Sequence, residues 1–335
     1  MAVGAPDYEA VRNRAGFFDL SAYGVVEVRG ADRAAFLHNL LTQDIKSLEP
    51  GSGAEAALVT PSAKLIADLV VLADADAHWL ILQQARIDAV LQTLDRYLIT
   101  EDVQLSDRRQ ADRIIAIQGP ASGEFLTSAC SLTPPGPQPL AHAAAKMGAM
   151  AVRVVNAGAI GGTGLLLIVP FDQVGPTLSR LEHDGSRDGV LPVRVQAWEI
   201  LRIEAGRPWF GVDMDEDTLL PETGLQARAV SYSKGCYVGQ EIIARVHTYG
   251  QVSRKLLGIQ LDGRTVPQPR DPIVAGGQEA GAITSGCFSP RLDRAIALGW
   301  VKRPHFEAGT RVTVKRGTEE FAAQLITPPF GAAAG

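Results

Sequence analysis

The chain has 335 residues, 46% of them hydrophobic and 21% charged, with a formal net charge of −5. That length exceeds what one hydrophobic core serves and predicts two or three domains; the slight acidity excludes a protein whose whole surface binds polyanions such as DNA. Three cysteines, at 130, 236 and 287, are far apart and odd in number, which fits free thiols in a reducing cytoplasm and not a disulfide framework. There is no C-x-x-C and no His/Cys cluster at ligand spacing, so no metal is expected. The N-terminus carries Asp7 and Glu9 without an apolar run, so no secretory signal is expected, and no stretch reaches the length of a membrane span.

Residues 1–23 read as a lead-in that becomes ordered at Gly16 to Ser21. Val25 to Arg29 alternates like a strand. Gly30 follows, and Ala31-Asp32 opens a helix carrying Phe36, Leu37, Leu40 and Leu41, with Asp32 placed to cap it or charge its first turn. Glu55 to Val59 and Leu65 to Leu72 are strands joined by a turn at Pro61-Ser62, and Trp79 to Leu82 is a short buried strand. An amphipathic helix then places Ile87, Leu91, Leu94 and Leu98 on one face, and Val103 to Leu105 closes the set. Strand, helix, two or three strands, helix, strand is the split β-α-β order of a ferredoxin-like unit.

The pattern recurs. Ile114 to Pro120 echoes Val25 to Gly30, a helix spans Ala121 to Ala129, and a Pro/Gly-rich insert runs from Thr133 to Pro139. Strands at Ala151–Val155 and Leu165–Val169 precede a helix with Val174, Leu178 and Leu181. Val195 to Ala205 is a helix that Gly206 and Pro208 stop. The acidic run Asp213 to Asp217 reads as a solvated loop. Beyond Ser253, short strands at Leu256–Leu261, Ala282–Ser285, Ala295–Val301 and Arg311–Val314, separated by Gly and Pro, predict a small antiparallel barrel. The tail after Pro328 reads as loose.

Three places carry candidate chemistry. The first is Ser233 to Glu241, where Gly235 and Gly239 flank Cys236 and Tyr237, and Lys234 precedes them. Its glycines permit tight turning. The loop ends at Gly239, and a helix or strand begins at Gln240. A thiol beside an ammonium and near a helix N-terminus is drawn toward thiolate; equally, a free cysteine in a glycine-rich turn packs as a small hydrophobe. The second is Glu204, in the last turn of its helix, where the macrodipole disfavours a carboxylate. Such a broken rule hints at function, unless Arg202 or Arg207 compensates at the surface. The third is Asp68, in a strand, with a solvent-facing edge acid as the plain alternative.

Several of these runs resemble a known family. Lys234 to Glu241, written K-G-C-Y-x-G-Q-E, resembles the fingerprint of the YgfZ-type folate-binding proteins, relatives of the glycine-cleavage T-protein (aminomethyltransferase) that act in iron–sulfur protein maturation. Leu201 to Gly206, Phe18 to Ser21, Ile117 to Pro120 and Thr284 to Pro290 are similar to T-protein landmarks. The resemblance implies an α+β, GcvT-like three-domain arrangement: two ferredoxin-like α+β units and a C-terminal antiparallel β-barrel. Its boundaries would be 1–23 with 112–250 for the central folate-binding domain, 24–111 for the other α+β unit and 251–328 for the barrel. It further implies tetrahydrofolate, or a one-carbon derivative, as cofactor. Glu204, Arg245, Gln240 and Tyr237 would be cofactor-binding residues, and Cys236, Asp68 and Lys234 catalytic candidates. A carboxylate suits the pterin ring, which offers an amino group and a ring N–H side by side. Arg245, four residues after Glu241, serves either as its helical partner or as a contact for the folate tail. Partners implied are iron–sulfur assembly or client proteins, with an indirect link to tRNA modification. Ile66-Ala67-Asp68-Leu69 departs from the T-protein's I-D-D-L by one missing carboxylate, which sets aminomethyl transfer as the alternative.

Overall fold

The computed structural model describes residues 5–128, 130–157, 163–250 and 252–331. Two units divide it. The first takes Met1–Pro61, Ile66–Trp198 and Arg228–Gln240; the second takes Ser62–Leu65, Glu199–Ala227 and Glu241–Gly335.

In the first unit, period-two alternation builds two sheets. Helix α1 (Ala5–Asn13) and strand β1 (Ala15–Asp19) come first, then β2 (Tyr23–Arg29), α2 (Arg33–Leu40), β3 (Gly53–Val59), β4 (Leu65–Ala73), β5 (Ala77–Gln83), α3 (Ile87–Tyr97) and β6 (Gln104–Asp107). One sheet has the order β3-β4-β5-β2-β6. Val26, Val28, Ala67, Leu69, Val71, Leu80 and Leu82 alternate onto one face, where they meet Phe36, Leu37 and Leu40 of α2 and Ile87, Val90 and Leu94 of α3. The buried stripe of α3 is therefore 87/90/94, with Leu91 and Leu98 at its margin. Asp32 stands at the N-cap of α2 without capping it; its carboxylate accepts the Asp102 amide at 2.9 Å.

The second pass along the chain gives β7 (Asp112–Gln118), α4 (Ser122–Ser128), β8 (His142–Met147), β9 (Met150–Asn156), β10 (Gly164–Pro170), α5 (Val174–Asp188) and β11 (Val190–Pro192). Their sheet reads β8-β9-β10-β7-β1-β11. Its first four strands repeat the order of the first sheet, with β1 in the place of β6 and β11 added parallel to β1. This is the internal repeat expected from the sequence. Ala129, at the end of the helix expected after Pro120, lies outside the described residues.

Helix α6 (Val195–Glu204) ends at Gly206, whose φ of +67° is the left-handed C′ conformation. A side chain there would meet Pro328 Cβ at 2.0 Å. After the short α7 (Gln226–Ala229), α8 (Gln240–Tyr249) begins one residue past Gly239, itself at φ +81°. The second unit closes a barrel from β12 (Arg254–Leu261), β13 (Pro272–Ala275), β14 (Gln278–Ser289), β15 (Arg294–Lys302), β16 (Arg311–Arg316) and β17 (Glu319–Ile326). Their order is β12-β15-β14-β13-β16-β17, and the neighbours pair antiparallel. Leu257, Ile259, Ile273, Ile283, Val301, Val314 and Leu325 fill it. Closure leaves no unpaired edge. The mixed α+β class and the C-terminal barrel are those expected.

Two expectations need correction. The tail is not loose at Phe330, which is 2% exposed and donates its amide to the Glu204 carbonyl at 2.8 Å; residues 332–335 lie outside the described residues. The acidic run is not uniformly solvated, because Asp213 is 1% exposed.

Candidate functional site

The cysteine loop belongs to the first unit and is tied to α2 and the stretch after it. The Thr42 hydroxyl donates to the Ala229 carbonyl at 2.6 Å, and the Ser231 amide returns to the Thr42 carbonyl at 3.0 Å. Gln43 Nε2 donates to the Arg228 carbonyl at 3.1 Å, and the Val238 amide to the Asn39 carbonyl at 3.3 Å. Between these ties Lys234 turns inward. Its ammonium donates to the carbonyls of His38, Leu41 (2.8 Å) and Gln43 (3.1 Å), and lies 4.8 Å from the centre of the Tyr237 ring. A helix C-terminus leaves carbonyls unpaired and carries partial negative charge, so a cation answers both needs.

The ammonium expected to activate Cys236 has all three of its donors engaged by backbone carbonyls on the inward side. Burial pushes this ammonium down to about 8, while the three carbonyls favour its charged form. Cys236 is exposed, which removes the small-buried-hydrophobe alternative. Tyr237 is buried beneath the loop, and that burial pushes its phenol up to about 12. Gln240 is half-buried at the first position of α8. His38 sits 3.1 Å from Asp44 and is lowered by burial first, then by the Lys234 charge.

Asp68 is half-buried on β4. Ala67 is fully buried in the core beneath α2 and α3, so strand alternation sends Asp68 to the opposite face of that sheet. The missing carboxylate of the pair is thus a core position here.

Glu204 and Arg245 belong to the second unit. Arg245 is exposed on α8, whose buried residue is Ile243. Glu204 is 4% exposed. Its carboxylate accepts the Ser289 hydroxyl from the end of β14, and Arg291 Nε lies 3.7 Å from the other oxygen. Part of the compensation for a carboxylate at this helix end therefore comes from the barrel, through Ser289 and Arg291. Cys287, on the same strand, is held far up by burial first and the Glu204 charge second.

Sequence reasoning missed the polar hub of this unit. Arg202, 2% exposed, donates to Asp213 at 2.8 Å and to Glu199 at 2.6 Å. Asp213 also accepts the Trp209 amide at 2.9 Å and the hydroxyls of Thr284 and Ser285, the latter at 2.7 Å. Thr284, Ser285 and Ser289, all in the Thr284–Pro290 run, are thus fasteners of α6 and its following loop to the barrel. The signal available was Asp213 lying eleven residues after Arg202, which no local pattern distinguishes from its acidic neighbours. Among the described residues no group of three His, Cys, Asp or Glu could hold a metal, and no helix is long and apolar enough to cross a membrane.

Two repeated α+β sheets followed by a closed six-stranded barrel define a chain of the GcvT-like class. Residues 2–234 match the family described as the GCVT N-terminal domain, and residues 254–331 match the Glycine cleavage T-protein C-terminal barrel domain; the chain belongs to this family. It is 30% identical to an aminomethyltransferase of Synechococcus sp., over 97% of this chain and 89% of that relative. It is 29% identical to the aminomethyltransferase of Rubrobacter xylanophilus, over 97% and 85%. The crystal structure of the glycine cleavage system aminomethyltransferase T from Bartonella henselae shares the fold, with a TM-score of 0.86 at 23% identity, covering 97% of this chain and 88% of that one.

Proposed function

We propose that this protein binds tetrahydrofolate or a one-carbon derivative of it. The observation that carries the reading is the match of both T-protein domains along one chain, at 2–234 and 254–331. The residues offer a partial fit to that cofactor. Exposed Arg245 suits an anionic folate tail, whereas the Glu204 carboxylate is already engaged by Ser289. Pterin recognition by Glu204 is therefore the part of the reading to be tested first. Calorimetric titration with tetrahydrofolate, repeated on Glu204→Gln and Arg245→Ala, supplies the test. No binding to the unsubstituted protein removes the cofactor; equal affinity in Glu204→Gln assigns that carboxylate to structure alone.

Two readings of what the bound folate does remain, and each has its own support. The comparisons favour tetrahydrofolate-dependent aminomethyl transfer, since the relatives quoted carry that name over 97% of this chain. Asp68 would then be the proton-handling carboxylate. The residues of this chain favour an accessory role in iron–sulfur cluster assembly or repair, reaching tRNA modification through its client enzymes. Cys236 is exposed in the Lys234–Glu241 fingerprint, and Ala67 replaces one of two carboxylates. Methylene-tetrahydrofolate formation from an aminomethylated lipoyl carrier, abolished in Asp68→Asn, establishes the first. Absence of turnover, with loss of activity in iron–sulfur clients when Cys236→Ser replaces the native protein, establishes the second.

A further inference from the structure

The loop alternates in and out over four residues. Lys234 is buried, Gly235 and Cys236 are exposed, and Tyr237 is buried again. Nothing would meet a side chain at Gly235 within 4 Å, so the crest itself is unsupported by packing. What supports it lies on either side. The ammonium reaches the carbonyls of His38, Leu41 and Gln43, and the Tyr237 ring lies against that same ammonium at 4.8 Å. The neighbouring charges are Asp44 and Lys46, with Asp44 paired to His38 at 3.1 Å.

We infer that Lys234 is a positioning residue for Cys236: it locks the crest of the loop onto the carbonyl end of α2 and so fixes where the thiol is presented. The inference rests on the reading of Cys236 as the reactive thiol, and it reverses the direct activation that the sequence suggested. A buried cation is strongly tied when several acceptors surround it, and a two-residue crest between two buried anchors cannot drift while both hold. Removing the ammonium leaves the Tyr237 ring and the Val238 amide as the remaining local ties.

The test uses the full chain and has two measurements. Amide exchange read by mass spectrometry is expected to rise about tenfold or more at Val238, whose amide is held by the Asn39 carbonyl, in Lys234→Met, while β2 and β5 keep their rates, because the opening is local. Alkylation of Cys236 by iodoacetamide, followed against pH, is expected to keep its midpoint within about half a pH unit in the same variant, since the ammonium does not face the thiol. Unchanged exchange at Val238, exchange rising equally throughout the unit, or a midpoint displaced upward by about one unit or more each overturns the inference. Should Lys234→Met fail to fold, Lys234→Gln, which retains two N–H donors, is measured in the same way, with exchange at Val238 expected above the native rate and an unchanged rate overturning the inference. Full client activity in Cys236→Ser would remove the reactive-thiol reading and leave the exchange result standing, so the two failures are told apart.

Discussion

Replacing Asp213 by alanine is expected to be the costliest single change in the second unit. The carboxylate accepts from Arg202, the Trp209 amide, Thr284 and Ser285, and it is 1% exposed. Alanine strands the Arg202 guanidinium, which is 2% exposed, with Glu199 as its remaining charged partner; the Glu199 side chain is 43% exposed and so screened by water. Breaking a buried pair by removing one member costs about 3–5 kcal/mol. Asparagine should cost less, about 2 kcal/mol, for a geometric reason. One oxygen can stay with Arg202 and the Trp209 amide, and the new NH2 meets the two hydroxyls, which rotate to accept it. The exposed pair Arg264–Asp293, with side chains 70% and 67% exposed, is the internal control: Asp293→Asn should change stability by less than about 1 kcal/mol. Urea unfolding monitored by fluorescence gives all three values. A loss in Asp213→Ala of under about 1 kcal/mol, or no ranking of alanine above asparagine, would refute the reasoning.

Other predictions concern titration, backbone and the helix end. His78, 4% exposed on β5, has no hydrogen-bond partner at either ring nitrogen, and burial first, then the Arg33 charge, push it down to about 4. The unfolded chain takes up this proton near 6.5 while the folded one resists until about 4, so stability should fall as pH drops through that window, by up to about 3 kcal/mol. In His78→Phe that part of the pH dependence should vanish; an unchanged slope between pH 6.5 and 4 would assign it elsewhere. Gly206→Ala imposes φ +67° on alanine and drives its Cβ to 2.0 Å from Pro328, so it should cost about 2 kcal/mol or more by urea unfolding. Ser289→Ala removes the hydroxyl that Glu204 accepts and should cost about 1–3 kcal/mol, with near-native stability refuting the fastening role.

Strand and helix positions were legible where period and punctuation agreed. Val25 to Arg29, the Pro61-Ser62 turn, the Gly206 stop and the start of α8 after Gly239 all follow from local chemistry. Among the strands not foreseen, two had no such signature. β8 (His142–Met147) is mostly alanine between polar residues, and β13 (Pro272–Ala275) is four residues long and opens on proline. They exist because neighbouring strands pair with them, a tertiary cause that propensity cannot carry. The site divides in the same manner. Exposure of Cys236 fits a glycine-rich loop, but the direction of the Lys234 side chain depended on carbonyls nearly two hundred residues earlier. The fate of Asp213 depended likewise on a strand more than seventy residues later. Glu204 was singled out for a broken rule at a helix end; one partner that answers it, Ser289, lies eighty-five residues downstream.

The order in which the chain is made has a consequence for the lysine tie. The carbonyls of His38, Leu41 and Gln43 leave the ribosome long before Lys234, and the whole segment Glu199–Ala227, which belongs to the other unit, is synthesised in between. Until then those carbonyls have no lysine to accept from. The sulfur at 236 can take its station only once translation has passed that point.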